Sequence, residues 1–106
     1  MAKIPKDIER VINDFLRDLG SEIPIEKVIL FGSYANGDYN SDSDIDLAIF
    51  SDYFKNVNSI EGTKYLLKRA RDYRGFDIQP IPFVKEDYDK QLGFAKEIIL
   101  TGIELK

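Results

Sequence analysis

At 106 residues the chain has the length of one ordinary domain, read as residues 1–106. That is enough for one sizeable core but not for a catalytic core plus a separate acceptor-binding domain. It contains no cysteine and no histidine, which excludes disulfides, thiolate zinc sites and Ser-His-Asp or Cys-His catalysis. Any metal must then be held by oxygen ligands, which favours Mg²⁺, Mn²⁺ or Ca²⁺. A net charge of −4 argues against a dedicated nucleic-acid-binding surface. No apolar run approaches ~20 residues, and MAKIPKDIER lacks the apolar core of a signal peptide. A cytoplasmic protein with no membrane contact is expected.

The first element is a helix over residues 4–19, with Ile4, Ile8, Val11, Ile12, Phe15, Leu16 and Leu19 at helical spacing and Gly20 as its C-cap. Glu26–Phe31 (EKVILF) reads as a strand that ends abruptly at Gly32-Ser33. Ser33 is placed to N-cap a short helix through Asn36. A polar loop, Gly37–Ser43, leads to Asp44–Phe50 (DIDLAIF). This second strand alternates, with Ile45, Leu47 and Ile49 on one face and Asp44, Asp46 and Ala48 on the other. Asn58 and Glu61 are spaced like a capping box for a helix from Ser59 to Tyr73, whose inward face uses Tyr65, Leu66, Ala70 and Tyr73. Gly75 releases the chain into a third strand, Phe76–Phe83. Pro80 and Pro82 lack amide donors on the same side of it, which predicts an unpaired edge. A last helix is expected over Glu86–Leu100, presenting Tyr88, Leu92, Ala95 and Ile99, followed by Gly102 as cap and a short strand in Ile103–Lys106. The order α-β-α-β-α-β-α-β, without repeats or linkers, predicts an α/β (α+β) layer structure.

Three features carry chemistry: Gly32-Ser33, the pair Asp44 and Asp46, and Asp77. Residues two apart on a strand share a face, so Asp44 and Asp46 point the same way, and a divalent cation would offset the cost of covering two carboxylates. Gly32 lets backbone approach a phosphate, while the following helix start and the Ser33 hydroxyl offer donors. For these to meet, the first two strands must be antiparallel. The third follows a helical crossover and should run parallel to the second, bringing Asp77 beside Asp44 and Asp46. Taken singly, each feature has a plainer reading. Gly-Ser is commonly a turn, an Asp-x-Asp can cap a solvated edge, and a lone Asp77 can be a surface charge. Together they form the equipment of two-metal phosphoryl or nucleotidyl transfer. With histidine absent, Asp77 is the carboxylate left to act as general base.

The stretch LFGSYANGDYNSDSDIDLAIF resembles the Gly-Ser-x10-Asp-x-Asp signature of the polymerase-beta-like nucleotidyltransferase superfamily. The chain length and the closing EIILTGIELK are similar to its minimal nucleotidyltransferase (MNT) branch. The resemblance implies a nucleotidyltransferase fold with a small mixed sheet flanked by helices. It implies that Asp44, Asp46 and Asp77 hold two Mg²⁺ ions (or Mn²⁺) and form the catalytic set, and that Gly32 and Ser33 hold the triphosphate of ATP. It further implies AMP transfer to a hydroxyl on a partner protein, a HEPN-domain ribonuclease in a toxin–antitoxin pair. At Asn36 the sequence departs from the family's usual Arg or Lys, a charge for which Lys64, Lys68 or Arg71 would have to substitute. Two rivals are a non-catalytic module that neutralises its partner by binding, as part of a homo- or hetero-oligomer, and transfer to a small molecule such as an aminoglycoside. Tyr34, Tyr39 and Tyr53 flank the expected site as stacking candidates for a base. Lys68–Arg74 (KRARDYR) reads as a solvated face.

Overall fold

A computed structural model describes residues 4–106. Strand β1 (Lys27–Phe31) lies antiparallel to β2 (Ile45–Phe50), and β2 lies parallel to β3 (Ile78–Phe83). The two-residue β4 (Ile103–Glu104) adds antiparallel to the free side of β1, so the sheet order is β3-β2-β1-β4. Both strand relations expected from the sequence are present, and the proline-bearing β3 is at an edge.

The sheet is covered on two sides. Ile45, Leu47 and Ile49 join Val28 and Leu30 on one face, packed under helices α1 (Lys6–Gly20) and α3 (Ser59–Ala70). Phe15 and Leu19 of α1 and Leu66 of α3 are fully buried there, each contributing on the order of 1.5–3 kcal/mol of apolar burial. On the other face Ile29, Ala48 and Phe50 pack against Ala95 and Ile98. Asp46 is the one residue of β2 that is not buried.

Several boundaries differ from expectation, each for a local reason. Ile4 precedes Pro5, which disfavours helical backbone at that position, so α1 starts at Lys6 and Ile4 packs on the core from outside it. Gly20 is the last helical residue and Ser21 is the C-cap. Helix α3 stops at Ala70; Tyr73 nevertheless turns inward, its ring edge-on to Phe15 at 5.8 Å and its hydroxyl donating to the Asp14 carbonyl and the Asp18 carboxylate. Asn58 caps α3 as expected, accepting from the Glu61 N–H at 2.9 Å. An unanticipated 3-10 turn, Asp52–Asn56, follows β2. It is capped by the fully buried Ser51, whose hydroxyl accepts from the Tyr53 N–H and donates to the Pro24 carbonyl.

The expected last helix is two helices, α4 (Lys85–Lys90) and α5 (Gly93–Thr101). Gln91 (φ 49°) and Gly93 (φ 58°) take left-handed backbone and break the ladder between them. Leu92 is therefore 71% exposed, and Ile98 joins Ala95 in the core in its place. Gly102 ends α5, and a Cβ there would lie 2.5 Å from Ile29 Cγ2 and 2.7 Å from the Leu30 carbonyl oxygen. Only glycine lets the chain pass close enough to β1 to form β4. No helix among the described residues is long and apolar enough to cross a membrane.

Candidate active site

The site forms where β1 ends and β2 and β3 begin. Phe31 pairs with Asp46 across the antiparallel ladder, so the chain leaves β1 directly beside the Asp46 carboxylate. Gly32 makes that exit possible. Its backbone is left-handed (φ 75°), and a Cβ would overlap Asp46 Oδ2 and come within 3.2 Å of its Cγ. Gly32, rather than the expected Ser33, is the N-cap of α2 (Ser33–Asn36), and its carbonyl accepts from the N–H groups of Ala35 and Asn36 at 3.1 and 3.0 Å. Ser33 is the first helical residue. The amides of Ser33 and Tyr34 have no intrahelical acceptor, as at any helix start.

Asp44 and Asp77 immediately precede β2 and β3. Because these strands are parallel and in register at Ile45 and Ile78, the two aspartates are neighbours. The Ile45 N–H donates to the Asp77 carbonyl at 2.8 Å. Asp44 and Asp77 share a hydrogen bond between their carboxyl groups, which pushes the Asp44 pKa above its usual value; desolvation and the charges of Asp77 and Asp46 push the same way. Asp46 is also pushed up, first by burial and then by Asp77. Asp44 and Asp46 thus both gain proton affinity from burial and from the neighbouring Asp77, which a bound cation would reverse.

Gln79 is a site residue the sequence reading passes over. It lies beside Asp46 in register, and its Nε2 donates to Asp77 Oδ1 at 2.5 Å. The available signal is its two-residue spacing from Asp77, which places both on one strand face. Among the described residues no three Asp, Glu, Cys or His side chains form a ready-made metal cluster. The donor chemistry nevertheless suits a hard cation: adjacent carboxylates with oxygen donors only and mutual repulsion to relieve, the set that Mg²⁺ or Mn²⁺ takes alongside water and phosphate oxygens.

The other residues singled out in the sequence are dispersed. Tyr34 is buried and stacks on Tyr39 at 4.7 Å, next to the site. Tyr53 follows the opposite end of β2 and packs on Phe54 and Tyr65, away from the site. Lys64 and Lys68 lie on α3 and Arg71 caps it, against the sheet face opposite Asp46, and Lys64 pairs with Glu61 at 3.7 Å. Within the Lys68–Arg74 run, Lys68, Arg71 and Arg74 are exposed as expected, while the half-buried Arg69 is tied to Glu22 at 2.8 Å and lies over the Tyr65 ring. A cleft of about 780 Å³ opens at Asp77, between the start of α1, Tyr34, the loop at residues 39–43 and Gly75-Phe76.

A glycine-opened helix start set against aspartates at adjoining strand ends is the arrangement of an enzyme that transfers phosphate-linked groups. Comparison with known proteins agrees. A family model described as "Nucleotidyltransferase domain" matches residues 9–101, and the chain belongs to that family. Two proteins of Methanocaldococcus jannaschii, each named "Putative protein adenylyltransferase", are similar to it. One is 30% identical over 102 residues, covering 93% of this chain and 99% of the relative. The other is 45% identical over 89 residues, covering 82% and 84%. A crystal structure described as a "putative nucleotidyltransferase" from Sulfolobus solfataricus superposes with a TM-score of 0.63 at 27% identity, over 79% of this chain and 73% of that one. The chain is a nucleotidyltransferase enzyme with a mixed α/β nucleotidyltransferase fold.

Proposed function

We propose that this enzyme transfers AMP from ATP to a side-chain hydroxyl of a partner protein, and that the partner is a HEPN-domain ribonuclease toxin for which it is the antitoxin. The observation that carries the transfer chemistry is the convergence of Asp44, Asp46 and Asp77 beside the opening at Gly32. The names of the two archaeal relatives support AMP as the group and a protein as the acceptor. On this reading residues 1–106 act as one catalytic domain in the cytoplasm and depend on the partner to present the acceptor.

Asp44, Asp46 and Asp77 would hold two Mg²⁺ ions, or Mn²⁺. When bound, these supply charge neutralisation at the triphosphate and a lowered pKa for the attacking hydroxyl. Gly32 admits the triphosphate close to the backbone, while the Ser33 hydroxyl and the first amides of α2 donate to its oxygens. The acceptor oxygen forms a bond to the α-phosphorus as the bond from that phosphorus to the bridging oxygen breaks, and pyrophosphate leaves. Asp77 takes the hydroxyl proton, and Gln79 holds Asp77 in position.

The test is to incubate the chain with ATP, Mg²⁺ and the product of the neighbouring gene, then weigh both proteins intact. AMP-sized additions on the partner that vanish with Asp77→Asn are expected. A second reading, a module that neutralises its partner by binding alone, draws on the neutral Asn36 and the lack of a ready-made metal cluster among the described residues. A stable complex with no addition from any of the four nucleoside triphosphates would favour it.

A further inference from the structure

The cleft beside Asp77 is unsuited to a triphosphate, and its lining indicates what it suits instead. Asp7 at the start of α1, Asp42 in the loop and Asp77 before β3 contribute carboxylates from three sides, and no Lys or Arg lines it among the described residues. Neither Asp7 nor Asp42 is among the ion pairs of the described residues. A polyanion entering this space would be repelled and a cation drawn in. The remaining wall mixes apolar and neutral polar residues with three aromatic rings, the exposed Tyr39 stacked on the buried Tyr34 and Phe76 in the same lining, and such rings attract guanidinium and ammonium groups. Asp7 and Tyr34 line the same cleft, and burial, then the charge of Asp7, pushes the Tyr34 phenol pKa up.

The position of the cleft matters as much as its charge. Gly32, Ser33, Asp44 and Asp46 do not line it, whereas Asp77 does. Asp77 thus meets Asp44 on one side and the cleft on the other. A hydroxyl arriving through the cleft reaches the proposed base without crossing the space assigned to the nucleotide. About 780 Å³ is toward the upper end for a small-molecule site, and carboxylates on three sides suit several residues of chain better than a compact ion.

Resting on the AMP-transfer reading, we infer that this cleft is the acceptor site and that it takes a basic peptide segment. A Ser, Thr or Tyr hydroxyl sits at Asp77, with flanking Lys or Arg side chains against Asp7, Asp42 and the aromatic wall. The acceptor oxygen bonds to the α-phosphorus of ATP, its proton passes to Asp77, and pyrophosphate departs on the far side.

The experiment compares two synthetic peptides sharing a central Thr-Ser-Tyr, one flanked by Lys and Arg, the other by Glu. Binding is read by fluorescence anisotropy, and transfer by labelled AMP from ATP with Mg²⁺. The basic peptide should bind and be modified about tenfold better than the acidic one. The double variant Asp7→Asn/Asp42→Asn should lose that preference with ATP affinity unchanged in calorimetry, since Asn keeps the acceptor that Asp7 offers the Ile8 N–H. Reversal with Asp7→Lys/Asp42→Lys should shift the preference to the acidic peptide. Equal treatment of both peptides, a preference that survives in the double variant, or transfer to kanamycin alone overturns the proposal. Charge-selective binding that the variants abolish, with no AMP transfer from the wild-type chain to any peptide, upholds the cleft as a basic-segment site. That outcome overturns the transfer chemistry instead.

Discussion

The two faces of β2 are built from the same six residues to opposite ends. Ile45, Leu47 and Ile49 are all fully buried under α1 and α3, an unbroken apolar row. On the other face Ala48 and Phe50 are as deeply buried beneath α5, but Asp46 at the site end is not. The difference shows how a small enzyme places charge near its core. It anchors the strand through one face and two-thirds of the other, then leaves one carboxylate where the covering helix ends.

That contrast can be broken from its apolar side, with the largest effect. Leu47→Ala should destabilise the fold by about 2–5 kcal/mol in denaturant titration while sparing ATP affinity in the fraction still folded. Gly32→Ala should cost about 1–3 kcal/mol, combining left-handed strain with the collision against the Asp46 carboxylate. Pairing it with Asp46→Ala should recover the collision part and leave the backbone part, so a strictly additive double-mutant cycle would refute the contact.

Asp46→Asn sharpens the comparison with the opposite sign. Because the folded state raises the Asp46 pKa, protonation favours folding. The contribution is fully present below the unfolded carboxylate value and lost as pH rises through the folded one. The metal-free variant should therefore be slightly more stable than wild type at pH 7, within about 1 kcal/mol given its partial exposure, and equal to it below roughly pH 4. Thermal melts with chelator across that range check it; Mg²⁺ with ATP should stabilise wild type far more than the variant. The smallest stability change belongs to Gln79→Ala, within about 0.5 kcal/mol. It should slow transfer roughly tenfold, as loss of a residue that orients another commonly does, with ATP binding retained.

The strand core and the meeting of the aspartates are legible in the sequence because local patterns and one handedness rule determine them. β-branched runs mark β1 and β2, the Asp44–Asp46 spacing puts both on one face, and the helical crossover makes β3 parallel, which brings in Asp77. What is not legible depends on contacts between distant segments. Nothing near Ser51 says that its hydroxyl meets Pro24, and the left-handed turn at Gln91 arises because α5 must lie over Phe50 and Ile29. Tyr53 follows β2 in sequence, yet it follows the end away from Asp44, so nearness along the chain misleads. The cleft joins Asp7, Asp42 and Asp77 from three separated segments and has no sequence pattern at all.

The rim strand β3 also constrains how this enzyme can associate. The Asp77 and Phe83 carbonyls accept from β2, so the odd-numbered residues face inward and Ile78, Pro80 and Pro82 turn their backbone outward. Two of those three outward positions have no amide hydrogen to donate. A stray strand laid against this rim would find carbonyls but few donors, so this edge offers a poor template for sheet growth. By the same token, strand addition across β3 offers a partner little hydrogen bonding.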